Sequence, residues 1–348
     1  MQEASRIARK LSALVDLGLE RVDDAPVSSE SVRLDRKTHK VTSSRAAMGT
    51  LVSISALGRS PDRVQEAIGR AFEEMDRLIR LLSRFEGCSA VSILNADGRV
   101  AGAPPELSHV VSNSLQYFSL SRGAFDITVE PVVDLFRTRS GAAPLAPTAP
   151  EIKEALELVD SRNIEVSAER VAFKKSGMGV TLDGIAKGFI VDAMAETLGR
   201  RKVKSYLINA GGDIRTAGTK ENRLPWTVAV QDPSKRRDFP DSIHLKDAAV
   251  ATSGSYEIYF DRDKLFHHIV NSQTGLSPNL STSVSVTAPS AMAADALATS
   301  VFVMMPSDGV RFINSLPRCE CLIIASDGSE LRSTGWKSAA PVQQKAVP

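Results

Sequence analysis

Two hydrophobic periods run along this chain, one of two residues and one near 3.6, and their order sketches its architecture. Leu51-Val-Ser-Ile-Ser-Ala-Leu57 alternates apolar and polar positions, which predicts a half-buried strand. From Pro61 to Leu82 the apolar residues Val64, Ile68, Phe72, Met75, Leu78 and Leu82 fall at helical spacing with charges between them, so a helix with one buried stripe is expected. A second helix is expected over Glu106 to Leu120. Strand-forming residues after Gly123 stop at Pro131, which can open a short helix through Val133 and Phe136. A strand from Val180 turns at Asp183-Gly184 into a helix reaching about Leu198, and Tyr206 to Arg215 predicts two strands joined at Gly211-Gly212. Further strands are expected at Trp226 to Val230, Ser242 to Leu245, Ala249 to Thr252, Thr282 to Thr287 and around Glu320 to Ser326. Ser290 to Met305 is apolar almost all round, as a helix buried on every side would be, and Ser290 suits its N-cap. Strands and helices alternate irregularly, so the fold class is α+β rather than a doubly wound parallel sheet.

At the amino end, Ile7, Leu11, Leu14, Val15 and Leu19 mark one side of an amphipathic helix, a docking arm or a peripheral packing element, and a polar linker from Asp23 to Glu30 follows. The folded core is expected to start near Val41, and the prolines of Gly141 to Pro150 argue against regular structure there. These signals divide the chain into an N-terminal helix and linker (1–43), a main domain (44–335) and a loose tail (336–348). Charge is balanced, with 43 Lys and Arg against 41 Asp and Glu, so no nucleic-acid groove is indicated. No stretch approaches twenty apolar residues, so no transmembrane segment is expected. The start lacks the apolar run of a secretion signal, but a trimmed chain would lack one too, which leaves the cytoplasm and the periplasm both open.

Several positions carry candidate chemistry. Asp295 and Thr299 lie four residues apart on one face of the expected buried helix, and two hard oxygens there suit Mg²⁺; a buried Asp bonded to backbone amides or an Arg is the alternative. Lys187 stands beside the free amides of the Asp183-Gly184 turn, as a phosphate contact or as a solvated helix residue. Gly211-Gly212 serves a hairpin or close approach by a ligand. His267 and His268, if extended, point to opposite faces, so one alone can enter a site. Cys88, Cys319 and Cys321 are too few for a four-thiolate zinc centre and are expected as buried free thiols. The chain lacks G-x-G-x-x-G, the P-loop, H-E-x-x-H and G-x-S-x-G.

In order, the segments Ala47-Met-Gly-Thr50, Phe125-Asp-Ile-Thr-Val-Glu-Pro-Val132, Leu182-Asp-Gly-Ile-Ala-Lys-Gly-Phe-Ile-Val-Asp192, Asn209-Ala-Gly-Gly-Asp-Ile214, Ala251-Thr-Ser-Gly254, His268-Ile-Val-Asn-Ser-Gln-Thr-Gly275 and Ala291-Met-Ala-Ala-Asp-Ala-Leu-Ala-Thr299 closely resemble the ApbE family of FAD:protein FMN transferases. The resemblance implies a two-lobed, T-fold-related architecture with FAD between the lobes. It implies Mg²⁺-dependent transfer of FMN from FAD, as substrate, to a Thr or Ser in the flavinylation motif of an acceptor flavoprotein, with AMP released. By that resemblance Asp295, Thr299, Gly184 and Ala298 would supply metal oxygens, and Met48, Phe85, Ala124, Phe125, Asp126, Thr181, Asp183, Lys187 and Ile269 would contact FAD. His268 matches the family histidine that assists deprotonation of the acceptor hydroxyl. An FAD pyrophosphatase giving FMN and AMP, or a non-catalytic flavin-binding maturation factor, are the rival expectations. The sequence departs from the family at Thr181, where many members have Asp, at Asp183, usually a small residue, and at Asn271-Ser272, which replace Asp-Pro.

Overall fold

A computed structural model describes residues 28–138, 147–230, 239, 241–255 and 267–339. In chain order the described strands and helices begin with β1 (Ser28–Arg33), β2 (His39–Ala47), β3 (Thr50–Gly58), α1 (Pro61–Leu82), α2 (Ala90–Asp97), β4 (Arg99–Ala101), α3 (Pro105–Leu120), α4 (Glu130–Arg137) and α5 (Ala149–Leu156). They continue with β5 (Ile164–Val166), β6 (Arg170–Phe173), α6 (Ala186–Arg200), β7 (Ser205–Ala210), β8 (Asp213–Ala217), β9 (Trp226–Val230), β10 (Asp241–Leu245) and β11 (Ala249–Gly254). β12 (Ser281–Ala288), α7 (Ala291–Val303), α8 (Pro306–Asn314), β13 (Glu320–Ala325) and β14 (Glu330–Arg332) complete them.

Nine of the described strands form one sheet in the order β1-β2-β3-β7-β8-β11-β12-β13-β14, with every adjacent pair antiparallel. Successive side chains of a strand face opposite ways, and the two faces have different covers. Ala249 and Ala251 of β11, with Cys321 and Ile323 of β13, join the main core beneath α1, α6 and α7. Their neighbours Val250 and Leu322 point the other way, into a smaller cluster closed by the antiparallel pair β9 and β10 and by Trp336. A third cluster, built on α2, α3 and the small sheet β4-β6-β5, forms the second layer. α7 lies between the two large cores: Ala294, Leu297 and Val301 belong to the first and Ala296 to the other, which accounts for its all-round apolar sequence.

Several expectations change. β1 occupies the end of the supposed linker and pairs along its whole length with β2, so the sheet starts at Ser28 and position 44 falls inside β2. The residues after Gly123 form a 3-10 turn, Ile127–Val129, instead of a strand, because the Asp126 carboxylate accepts from the Thr128 amide at 2.8 Å and caps it. Ala149 and Pro150 open α5 behind a Thr148–Glu151 capping box. Trp336 and Ala339 are buried, so the tail's first residues are docked. Cys319 and Cys321 are buried free thiols as expected, but Cys88 is exposed. The amphipathic run at 7–19 lies outside the described residues. Among the described residues no helix is long and apolar enough to cross a membrane.

Candidate active site

The segment before α6 is extended but unpaired, not the strand its sequence suggests. Asn95 replaces a neighbouring strand: its side-chain amide donates to the Val180 carbonyl at 2.9 Å and its carbonyl accepts from the Val180 amide at 2.8 Å. The Thr181 amide donates to Ile127 O at 2.8 Å, and the Ile185 and Ala186 amides fold back on Leu182 O. The chain thus enters α6 through a tight turn over residues 183–185.

That turn presses against α7 at two glycines. A Cβ on Gly184 would lie 2.9 Å from Thr299 Oγ1, and one on Gly188 would lie 2.3 Å from the Ala291 carbonyl oxygen. With hydrogen there, the Gly188 amide reaches Asp295 Oδ2 at 3.0 Å. Asp295 is only 5% exposed. Its backbone-amide partner is the alternative weighed from sequence, yet the same carboxylate also lines a cleft together with Thr299. Ser253 Oγ lies 3.4 Å from Thr299 Oγ1.

The cleft, about 710 Å³ counting the solvent open to it, lies where the two layers meet. It brings together Ala124, Phe125, Asp126, Thr181, Asp183, Gly184, Lys187, His268, Ile269, Asp295 and Thr299. Met48, Phe85 and Ala298 lie outside that lining. Met48 sits at the β2–β3 turn with φ 51° and packs on the main core. Ala298 is fully buried in the same core. Phe85 is exposed, with the Arg84 and Arg137 guanidinium groups over its ring at 4.8 and 5.6 Å.

Within the cleft the charged groups are tied down. Lys187 Nζ lies 3.1 Å from Asp213 Oδ2, so this lysine is no solvated helix residue. Asp183 pairs at 3.1 Å with Arg84, whose side chain is 7% exposed. Asp126 turns inward, accepting from Thr128 Oγ1 at 2.5 Å and Ser161 Oγ at 2.7 Å; burial pushes its carboxyl above the usual range and outweighs these bonds. His268 faces the cleft while His267 is buried beside it. Where the family's Asp-Pro is missing, Asn271 Oδ1 accepts from the Gln273 and Thr274 amides at 2.8 and 3.2 Å, and Ser272 Oγ donates to Gly123 O at 2.7 Å, which keeps the turn tight.

Sequence reasoning passed over Asp213, Arg84, Thr252 and Ser253. Asp213 directly follows the paired glycines, which carry positive φ and form the β7–β8 hairpin, and a carboxylate opening a strand there was the available signal. For Arg84 no sequence signal existed.

Comparison with known proteins identifies the family. A sequence model of the ApbE family matches residues 48–323. A FAD:protein FMN transferase of Treponema pallidum is 30% identical over 83% of this chain and 85% of its own length. One of Vibrio cholerae is 31% identical over 66% of this chain and 70% of its own. The crystal structure of the ApbE protein from Thermotoga maritima superposes with a TM-score of 0.75 at 30% identity, covering 88% of this chain and 97% of that one. The chain shares sequence and fold with these proteins, and it belongs to the ApbE family.

Proposed function

We propose that the protein is an Mg²⁺-dependent FAD:protein FMN transferase. One observation carries the reading: a single cleft holds an oxygen-donor pair on one rigid helix, Asp295 and Thr299, a lysine at a helix start, Lys187, and an imidazole, His268. In the reaction the hydroxyl oxygen of an acceptor Thr or Ser attacks the phosphorus of the FMN half of FAD. The pyrophosphate P–O bond breaks, AMP leaves with that oxygen, and the hydroxyl proton passes to His268. Lys187, together with the N-terminus of α6, favours the anionic pyrophosphate. A neutral imidazole is suited to take a proton near pH 7.

The donor set fits Mg²⁺. At the cleft it comprises one carboxylate, one hydroxyl and, by family resemblance, the Gly184 carbonyl, whereas Ala298, which the resemblance also implies, lies outside the lining; Mg²⁺ binds through few carboxylates while keeping water ligands. When bound, the ion would neutralise charge on the phosphates. Asp295, held by the Gly188 amide, and Thr299 would orient it.

The test is chromatography of FAD incubated with the protein, with and without EDTA, coupled to mass spectrometry of Thr-bearing acceptor peptides. AMP release only with the divalent ion, matched by FMN-labelled peptide, is expected. Equal AMP release with EDTA would sink the metal assignment, and free FMN at saturating peptide would identify a pyrophosphatase instead.

A further inference from the structure

The cleft takes its imidazole from a histidine pair, and the ring that does not enter it is held at both nitrogens. His267 is 3% exposed. Its Nε2 lies 2.8 Å from the Pro278 carbonyl oxygen, which can only accept, so Nε2 carries the proton. Its Nδ1 accepts the Ile269 amide at 3.3 Å, so that nitrogen is bare. The two contacts define one neutral tautomer, and burial further disfavours the imidazolium. Ser277 holds the same residue by its backbone: Ser277 Oγ accepts from the His267 amide at 2.9 Å and donates to the His267 carbonyl at 2.8 Å.

The ring also stands edge-on against Phe302, with centroids 5.5 Å apart and planes at 86°. Phe302 is fully buried on α7, two turns beyond Asp295 and one beyond Thr299. His268 therefore sits between a residue docked on the oxygen-donor helix and Ile269, whose amide is held by that same ring. We infer that His267 is a positioning residue, whose fixed neutral ring sets His268 against the helix carrying Asp295 and Thr299. The inference rests on His268 being the proton acceptor. A displacement of about 1 Å can cost about a hundredfold in rate, so loss of this clamp should be read in turnover.

His267→Phe keeps a flat ring against Phe302 but removes both nitrogen contacts. His267→Asn can restore an acceptor for Ile269, and His267→Gln a donor for Pro278 O. Two measurements apply. Imidazole ¹⁵N spectra of the wild type, assigned with His267→Phe, should show His267 bare at Nδ1 and protonated at Nε2 from pH 6 to 8; a protonated Nδ1 would overturn the inference. Transfer of FMN to the fastest-labelled member of a library of peptides, each with one central Thr, should slow about ten- to a hundredfold in His267→Phe with FAD affinity unchanged, and recover partly in the Asn or Gln variant. Wild-type turnover in His267→Phe while His268→Ala is inactive would defeat the positioning role alone. Wild-type turnover in His268→Ala would defeat the reading on which it rests. A His267→Phe protein that loses FAD affinity and melting temperature but keeps its rate at saturation would mark the ring as structural only.

Discussion

The Gly188 amide donates to Asp295 Oδ2 at 3.0 Å, tying the first turn of α6 to the second turn of α7. This bond needs the two helices in backbone contact, and only a residue without a side chain allows that. A Cβ at 188 would meet Ala291 O at 2.3 Å and Met292 Cα at 2.8 Å, both backbone atoms that cannot swing aside.

Gly188→Ala should therefore push the helices apart and withdraw the amide from Asp295. Overpacking of this kind costs about 1–3 kcal/mol. Urea denaturation should show that loss, and Mg²⁺ titration of the folded protein should show weaker binding. A variant with unchanged midpoint and unchanged metal affinity would mean that the contact is not what holds the carboxylate.

Lys187 and Asp213 are predicted to act as one unit. Asp213 is almost wholly buried and Lys187 a quarter exposed, so the two couple more strongly than a surface ion pair, and removing Lys187 leaves a buried carboxylate without this cation. Lys187→Met should weaken FAD binding. In a double-mutant cycle with Asp213→Asn, FAD affinity and stability should both show coupling of about 0.5–3 kcal/mol. Strict additivity would show that the two side chains serve separate ends.

These two contacts mark how far the sequence could be read. Strand alternation and helix spacing located most elements within a residue or two, because Val52, Ile54 and Ala56 bury on one face and the α1 stripe on another regardless of distant partners. Family motifs pointed to Asp295, Thr299, Lys187 and His268, which the fold brings to one cleft. Much of what stayed hidden depends on partners far apart in sequence. Asn95 substitutes for a strand beside Val180, Arg84 reaches Asp183, and Trp336 docks on Asp241; no local pattern encodes any of these. The 3-10 turn at Ile127 was misread because Ile-Thr-Val favours a strand until the Asp126 cap overrides it.

Glu130, in the first turn of α4, is predicted to make the protein less stable as pH rises. Burial, then hydrogen bonding and repulsion from Asp134, push its carboxyl up to about 7, against partial opposition from Arg84 and Arg137. Because the folded state holds this proton more tightly than the unfolded state, its contribution is full below the ordinary value near 4.5 and is lost as pH rises through about 7. Glu130→Gln does not titrate. Its melting temperature relative to wild type should be higher by a few degrees at pH 8 than at pH 5, and an identical difference at both pH values would refute the argument.

Asp241 is predicted to behave in the opposite way. Burial raises its carboxyl, but bonds from Trp336 Nε1 at 2.9 Å, Ser338 Oγ at 2.7 Å and the Ser242 amide, with Arg332 nearby, outweigh it and leave the pKa below the ordinary value. The stability it contributes is present above that ordinary value and is lost as pH falls through the lower folded value. Acidification through that lower value should therefore weaken the hold on Trp336 and shift its fluorescence to the red. Asp241→Ala should show the released signal at neutral pH, and wild-type emission from that variant would show that Trp336 is held by its apolar neighbours alone.

The last prediction separates the two sides of the proposed chemistry. Asp295→Asn keeps the shape and an oxygen for the Gly188 amide but removes the charge, so it should bind Mg²⁺ weakly and lose both FAD cleavage and FMN transfer, with partial recovery at high Mg²⁺. His268→Ala should keep metal and FAD bound and slow transfer by about 10²–10⁴-fold, the usual range for loss of a general base. If Asp295 served only as a buried helix tie, its Asn variant would melt lower with no change in Mg²⁺ dependence. Melting curves and metal titrations on the two variants distinguish these outcomes. Normal Mg²⁺ affinity and normal turnover in Asp295→Asn would remove the metal from this cleft and, with it, the reason for placing an oxygen pair opposite Lys187.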